Sequence, residues 1–263
     1  MPSQSLETDR HTLVTIACLS DNYAFLLQDK KSGEVALIDV PEAAPIKAEL
    51  ATRGWKLDQI WLTHHHYDHV DGLPDLLVDY PARVYGAAAD AHRLPDLDVQ
   101  LNEGDRFSLG DTEVEVLDVS GHTVGHIALY APAAKAAFTA DSLMALGCGR
   151  LFEGTPDQML ASLTKMAAWP DDTLICSGHE YTASNAKFAV SVDPDNAALQ
   201  ERAMQIAKIR AQGGFTVPST LELERATNPF LRSGDPQIRS ELGMLSAEDK
   251  EVFAELRGRK DRF

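Results

Sequence analysis

Long apolar runs are missing from this sequence. No stretch approaches the roughly 18 residues that cross a bilayer, and the opening MPSQSLETDRH lacks the basic-then-apolar layout of a secretory signal. No membrane association is therefore expected, and the cytoplasm is the simplest location. Cysteine is scarce: Cys18, Cys148 and Cys176 stand far apart with no CxxC, which argues against a disulfide framework and against a zinc knuckle. Basic residues are outnumbered, with 24 Lys and Arg against 40 Asp and Glu, for a formal charge of -16. Such a surface repels phosphate backbones, so no nucleic-acid partner is expected. Nor is there an internal repeat, a low-complexity segment or any sign of an obligatory protein partner. What remains is an ordinary globular composition, 44% hydrophobic and 24% charged over 263 residues. That length holds one large α/β domain, or a mid-sized domain with a helical appendage.

The first forty residues read as an antiparallel meander. HTLVTIACL, NYAFLLQD and EVALIDV are β-branched or aromatic-rich, and turn chemistry at Ser20-Asp21-Asn22 and Lys31-Ser32-Gly33 separates them. PEAAPIKAELATRGW reads as a helix stopped by Gly54, and QIWLT as a buried strand. Then come a helix near GLPDLLVDY, a strand ARVYG, and a hairpin about Gly110-Asp111 whose second arm, TEVEVLDV, alternates at period two. KAAFTA and TLICS are short apolar runs on either side of TPDQMLASLTKMAAW. That helix has Thr155 as N-cap, Pro156 at its first position and Gln158 to complete a capping box. Antiparallel pieces followed by interleaved strands and helices predict two sheets with helices outside, and not a doubly wound parallel sheet.

After about residue 182 no strand pattern is evident. DPDNAALQERAMQIAKIRAQGG, PSTLELER with a Ser219/Glu222 capping box, and SAEDKEVFAELRGRKDRF read as helices. The expected division is a mixed strand-and-helix domain over 1–182 and a small all-helical domain over 183–263.

The polar residues fall in a pattern. Four short strands run into THHHYDH (63–69), SGHTVGH (120–126), Asp141, and GHE (178–180), so each delivers a His or Asp at its C-terminal end. In layered α/β folds such strand ends share an edge where ligands collect. Nitrogen and carboxylate donors gathered there suit Zn²⁺, Fe²⁺ or Mn²⁺. In extended backbone residues i and i+2 point the same way, so His64 and His66 are able to grip one cation. Asp68 and His69 lie just beyond, where a turn would aim them at a second, and His65 points away.

THHHYDH, GHTVGH, FTADSL and GHEYT, in this order and at these separations, resemble the metal motifs of the metallo-β-lactamase fold. Within it, GCGRLFEGTPDQM, NPFLR and the closing RxxKD make the whole chain similar to the hydroxyacylglutathione hydrolase (glyoxalase II) family. That resemblance implies a four-layer αββα sandwich followed by a helical domain, and two divalent metal ions per chain, zinc first, with iron and manganese as the other candidates. It implies that His64, His66 and His122 bind one metal, that Asp68, His69 and His179 bind the other, and that Asp141 bridges both. Asp68 and Asp141 are accordingly the expected catalytic carboxylates. His126 has no ligand role in that pattern and is expected to pack behind the site. Three positions depart from the family's habit: Asp71 where a small residue is frequent, Phe152 where some members carry Tyr, and Arg150 where others carry Lys.

The implied reaction is hydrolysis of an S-(2-hydroxyacyl)glutathione, typically the D-lactoyl thioester, to a 2-hydroxy acid and glutathione. The closing RGRKDRF holds four basic residues in an acidic chain, and Arg257 and Lys260 are three apart, on one helix face. They are expected to meet glutathione carboxylates, with Arg150, Phe152 and Tyr181 as further substrate contacts. The rival readings are a mononuclear iron dioxygenase acting on glutathione persulfide, another hydrolase of the fold such as a lactonase or β-lactamase, and a non-catalytic binding module.

Overall fold

The computed structural model describes residues 3–263. By its internal contacts the chain divides into two units, Met1–Asp118 with Gly125–Ala140, and Val119–Val124 with Asp141–Phe263.

The first unit opens with β1 (Ser3–Glu7), β2 (His11–Cys18), β3 (Asn22–Asp29) and β4 (Val35–Ile38), each antiparallel to the one before. β2–β4 are the expected meander. β1, SQSLE, is partly exposed at the sheet edge and too polar to betray itself by periodicity. After α1 (Ala43–Arg53) the chain turns parallel. β5 (Gln59–Trp61) precedes α2 (Tyr67–Val70) and α3 (Leu73–Asp79), then β6 (Arg83–Ala87) and β7 (Val99–Leu101) complete a seven-stranded sheet in sequence order. A second, antiparallel run holds β8 (Arg106–Leu109), β9 (Thr112–Asp118), β10 (Ile127–Ala131) and β11 (Ala136–Ala140). The two sheets meet through aromatic rings: Phe25 and Trp61 lie 5.8 and 6.0 Å from Phe138, and Trp61 meets Phe107 edge-on at 5.2 Å. Edge-to-face rings of this kind add to the burial of large apolar area.

The second unit begins with a small hairpin, β12 (Leu143–Met144) and β13 (Gly147–Cys148), followed by α4 (Pro156–Met166). The predicted Thr155/Gln158 capping box is formed, with Pro156 at the first position. β14 (Leu174–Ser177), α5 (Thr182–Val192) and α6 (Ala197–Ala211) follow. Two features here differ from what the sequence leads one to expect. Ser219 and Thr220 form a short strand, β15, antiparallel to β14, where no strand was expected. The cap of α7 (Leu221–Thr227) is Thr220, which accepts from the Leu223 amide, and Ser219 donates instead to the buried Glu224. A two-residue strand has too little period to read, and the pull of a buried carboxylate is invisible in the local sequence. α8 (Pro236–Leu242) and α9 (Asp249–Arg262) close the chain. Leu146, Ala186, Ala189, Leu199 and Ile206 pack α5 on α6, while Phe230 lies 6.0 and 5.7 Å from Phe188 and Phe253. Among the described residues no helix is long and apolar enough to cross a membrane.

Candidate metal centre

β5 ends at Trp61, and the chain continues through Thr63 into the histidine tract. The tract is held from below by Asp39, just past β4, in the left-handed backbone region with φ of 57°. Its Oδ1 accepts the Thr63 amide at 2.9 Å, and its Oδ2 accepts the Thr63 hydroxyl at 2.8 Å. The same Oδ2 lies 2.8 Å from Nδ1 of His69. Since the Thr63 hydroxyl donates to Asp39, its contact of 3.0 Å with Nδ1 of His64 has the ring as donor. Both imidazoles therefore carry their proton on Nδ1 and turn the Nε2 lone pair the other way. This is the arrangement that outer carboxylates and hydroxyls impose on metal-binding histidines.

His64 and His66 have ring centroids 4.8 Å apart, and the single helical turn of α2 carries Asp68 and His69. Asp68 Oδ2 is 3.9 Å from Nε2 of His69, and the side-chain amide of Asn22 donates to that same carboxylate oxygen and to the Asp68 carbonyl, each at 3.0 Å. Asp39, His64 and His69 are all buried, and one ligand atom from each falls within 4.8 Å of the others. His126 lies flat on His64, with centroids 4.6 Å apart and planes at 12°. Asp71 is exposed.

In the second unit, buried Asp141 places Oδ2 3.4 Å from Nε2 of His122 and 3.2 Å from Nε2 of His179. His122 directs Nδ1 at the Arg150 carbonyl, 2.7 Å away, so that nitrogen bears the proton and Nε2 offers a lone pair toward the carboxylate. A lone pair facing an anionic oxygen is repulsive unless a cation or a proton lies between them, and this donor chemistry fits a divalent ion. Gly149 permits the close packing: a Cβ there would stand 1.9 Å from the Asp141 carbonyl oxygen and 3.0 Å from the His122 ring. Tyr181 stacks on His179 at 4.6 Å with planes at 4°, and exposed Phe152 meets His122 obliquely at 5.3 Å.

The expected substrate residues fall into two kinds. Arg150 is exposed, with Nε 3.4 Å from Asp261, and Lys260 is half-buried over the rings of Phe188 and Phe263 at 5.5 Å each. Burial, and then the charge of Arg257, push the Lys260 ammonium below its usual pKa, against the opposing pull of Asp261. Arg257 is itself buried: it donates to the Cys148 carbonyl at 2.8 Å and to Asp261 at 3.0 Å, and lies 5.1 Å over Phe230. Asp39, Asn22 and Gly149 are the functional positions that sequence reasoning passed over. Asp39 obeys the same rule as Asp141, a lone acid just past an apolar strand, and that signal was available in EVALIDV.

Residues 20–179 match the model of the metallo-β-lactamase superfamily, and residues 180–263 match that of the hydroxyacylglutathione hydrolase C-terminus. Curated relatives named hydroxyacylglutathione hydrolase include one from Ruegeria pomeroyi, 68% identical, and one from Roseobacter denitrificans, 61% identical. Each alignment covers 95% of this chain and 98% of the relative. Among solved structures, ETHE1 from Myxococcus xanthus superposes with a TM-score of 0.65 at 22% identity, covering 98% of this chain and 90% of that one. TTHA1623, solved in a di-iron-bound form, gives 0.60 at 26% identity, covering 82% and 98%. The superfamily domain and the His/Asp clusters together support a binuclear divalent metal site. On the near-complete match to curated relatives and the two adjoining family models, the chain belongs to the hydroxyacylglutathione hydrolases, thioester hydrolases of the metallo-β-lactamase superfamily.

Proposed function

We propose that this enzyme hydrolyses S-(2-hydroxyacyl)glutathiones, above all S-D-lactoylglutathione, to a 2-hydroxy acid and free glutathione. This is the second step of methylglyoxal detoxification. The carrying observation is that the hydroxyacylglutathione hydrolase C-terminal model follows directly on the superfamily domain that holds the histidine tract. We assign His64, His66 and His122 to one ion, Asp68, His69 and His179 to the other, and Asp141 to both. Zinc is the resident metal we propose, with iron or manganese as the alternatives that such a donor set accepts according to supply.

Divalent ions held by these residues would supply hydroxide at neutral pH, by lowering the pKa of water from 15.7 to about 7. The chain's own contribution is orientation. Asp39 and the Arg150 carbonyl hold the Nδ1 protons of His69 and His122, and Asn22 holds Asp68. A thiolate leaving group, with a pKa of about 8.5 by analogy with cysteine, departs without a strong general acid. None of the chain's cysteines competes as a nucleophile: all three are buried, and burial pushes the Cys18 thiol up to about 12 and raises Cys148 as well.

Catalysis is assigned to residues 1–182, and recognition of glutathione to the part after residue 182 together with Arg150, Phe152 and Tyr181 that precede it. Lys260 and Arg150 present cations to the glutathione carboxylates, and Tyr181 and Phe152 offer a hydroxyl and an apolar wall. Arg257 serves that surface from behind, by holding the Cys148 carbonyl two residues before Arg150. The cytoplasm is the compartment we propose, where free thiols persist. A metal count combined with a thioester assay tests the reading. The expected result is close to two ions per chain and hydrolysis of S-D-lactoylglutathione without oxygen uptake. One iron per chain, with oxygen consumed on glutathione persulfide, would overturn it.

A further inference from the structure

Of the four histidines in the tract, His65 is the one that the ligand set does not use. His65, whose ring lies 4.9 Å from that of His66, directs Nδ1 to Oδ2 of Asp90 at 2.8 Å. Asp90 ends the short 3-10 helix Ala88–Asp90 and is 1% exposed. Its other oxygen accepts from Nε of Arg93 at 2.7 Å, so the buried carboxylate is charge-balanced by the chain itself. On its far side stands Gly125 of the GHTVGH motif, where a Cβ would lie 2.4 Å from Asp90 Cγ and 2.6 Å from its Cβ. Any side chain at 125 would displace the carboxylate. Two residues on, the Ile127 amide donates to the Thr63 carbonyl at 3.0 Å, and His126 between them stacks on His64.

Asp90 is thus wedged between the tract and the segment that backs it. Asp39 grips the tract through Thr63 and His69, whereas Asp90 grips it through His65, the residue flanked by His64 and His66. In extended backbone, fixing the side chain at one position fixes the direction in which both neighbours project. We infer that Asp90 is a positioning residue of the metal centre: through His65, and seated against Gly125, it sets the backbone rotation that aims His64 and His66. This rests on the metal assignment proposed above, and it explains why the tract is HHH where the ligand pattern needs only HxH.

The test is zinc affinity, measured by chelator competition on the full chain, alongside thermal melting of the metal-free protein. Asp90→Asn and His65→Ala should weaken zinc binding roughly ten- to a hundredfold, the scale found for partners of metal-binding histidines. Melting of the metal-free protein should move by no more than about 3 °C, the scale of a ~1 kcal/mol change in a protein of this size. His65→Asn places an amide nitrogen close to where Nδ1 stands, and should recover most of the affinity. If Asp90→Asn does not fold, Gly125→Ala displaces the same carboxylate from the other side and should weaken zinc in the same way. Unchanged zinc affinity in Asp90→Asn and His65→Ala overturns the inference. So does a His65→Asn protein as weak as His65→Ala, or a weakening matched by collapse of the metal-free fold. A wild-type protein that takes up no zinc, iron or manganese would instead remove the metal assignment beneath it.

Discussion

Two carboxylates of the second unit are buried in opposite company. Glu224, wholly buried on α7, receives the Arg202 guanidinium, the Ser219 hydroxyl, the Asn228 amide and the backbone amide of Leu146. Asp141 faces Nε2 of two imidazoles, one of them already protonated on its other nitrogen by the demand of a carbonyl. The first charge is balanced by the chain and ties α6, α7 and the β12–β13 turn together. The second is, in the proposed assignment, arranged for a cation that the chain does not encode. Both are buried carboxylates, so what separates them is whether the partners are donors or lone pairs.

The comparison breaks most visibly in stability. Glu224→Gln leaves the buried Arg202 without its counter-charge, and should lower the unfolding free energy by about 3–5 kcal/mol in a urea titration. The folded fraction should still bind zinc as tightly as wild type. Asp141→Asn should do the reverse: turnover falls at least ~100-fold, about 2.7 kcal/mol of transition-state stabilisation, metal content drops, and the urea midpoint of the metal-free protein holds. A large loss of metal-free stability in Asp141→Asn would erase the distinction.

Lys260 sharpens the contrast further, because its cation is neither buried scaffold nor metal ligand. Charge-assisted hydrogen bonds contribute at least about 1.5 kcal/mol each, so Lys260→Ala should raise KM for glutathione thioesters roughly tenfold or more. kcat should stay near wild type, since a contact remote from the scissile bond is equal in ground and transition states. A small thioester lacking the glutathionyl carboxylates should show no change, and a kcat loss on both substrates would mean that the lysine supports the fold instead.

The smallest effect concerns an imidazole outside the tract. His11 is buried, with Nε2 2.6 Å from the Thr112 hydroxyl, which in turn donates to Asp29 at 2.9 Å. Burial lowers its pKa, Arg10 and Lys30 lower it further, and only the charge of Asp29 opposes. The folded state thus holds the neutral ring, while the unfolded chain takes up its proton near pH 6.5. The contribution is complete above that pH and is lost as pH falls through about 6.5 toward the depressed folded value. Urea midpoints measured from pH 8 to 5.5 should decline less in His11→Asn than in wild type, equally with and without metal. A decline of the same size in both proteins would remove His11 from the account.

Much of the site was legible because its first half is local. Two-residue alternation pairs His64 with His66 and the turn of α2 follows at once, so both are readable within one heptapeptide, although Asp39 and Asp90 arrive from elsewhere in the chain to hold it. The strand-end rule located His122, Asp141 and His179 as candidates, and the same rule, applied to EVALIDV, would have reached Asp39. Asp90 offered no such signal, for it sits on a 3-10 turn among alanines. Its importance comes from a glycine 35 positions later that leaves it room. Arg257 and Lys260 looked equivalent on one helix face, yet packing against Phe230 buries the first beneath the Cys148 carbonyl and leaves the second half-exposed.

Sequence alone determined what is set by short-range geometry and donor chemistry: the meander, the Thr155 cap, the donor residues and their alternation. Tertiary structure decided which lone pair each imidazole presents. That choice depends on a carbonyl or carboxylate arriving from far along the chain: Asp39 for His69, the Arg150 carbonyl for His122, Asp90 for His65. A ring nitrogen has no preference of its own strong enough to survive burial without such a partner.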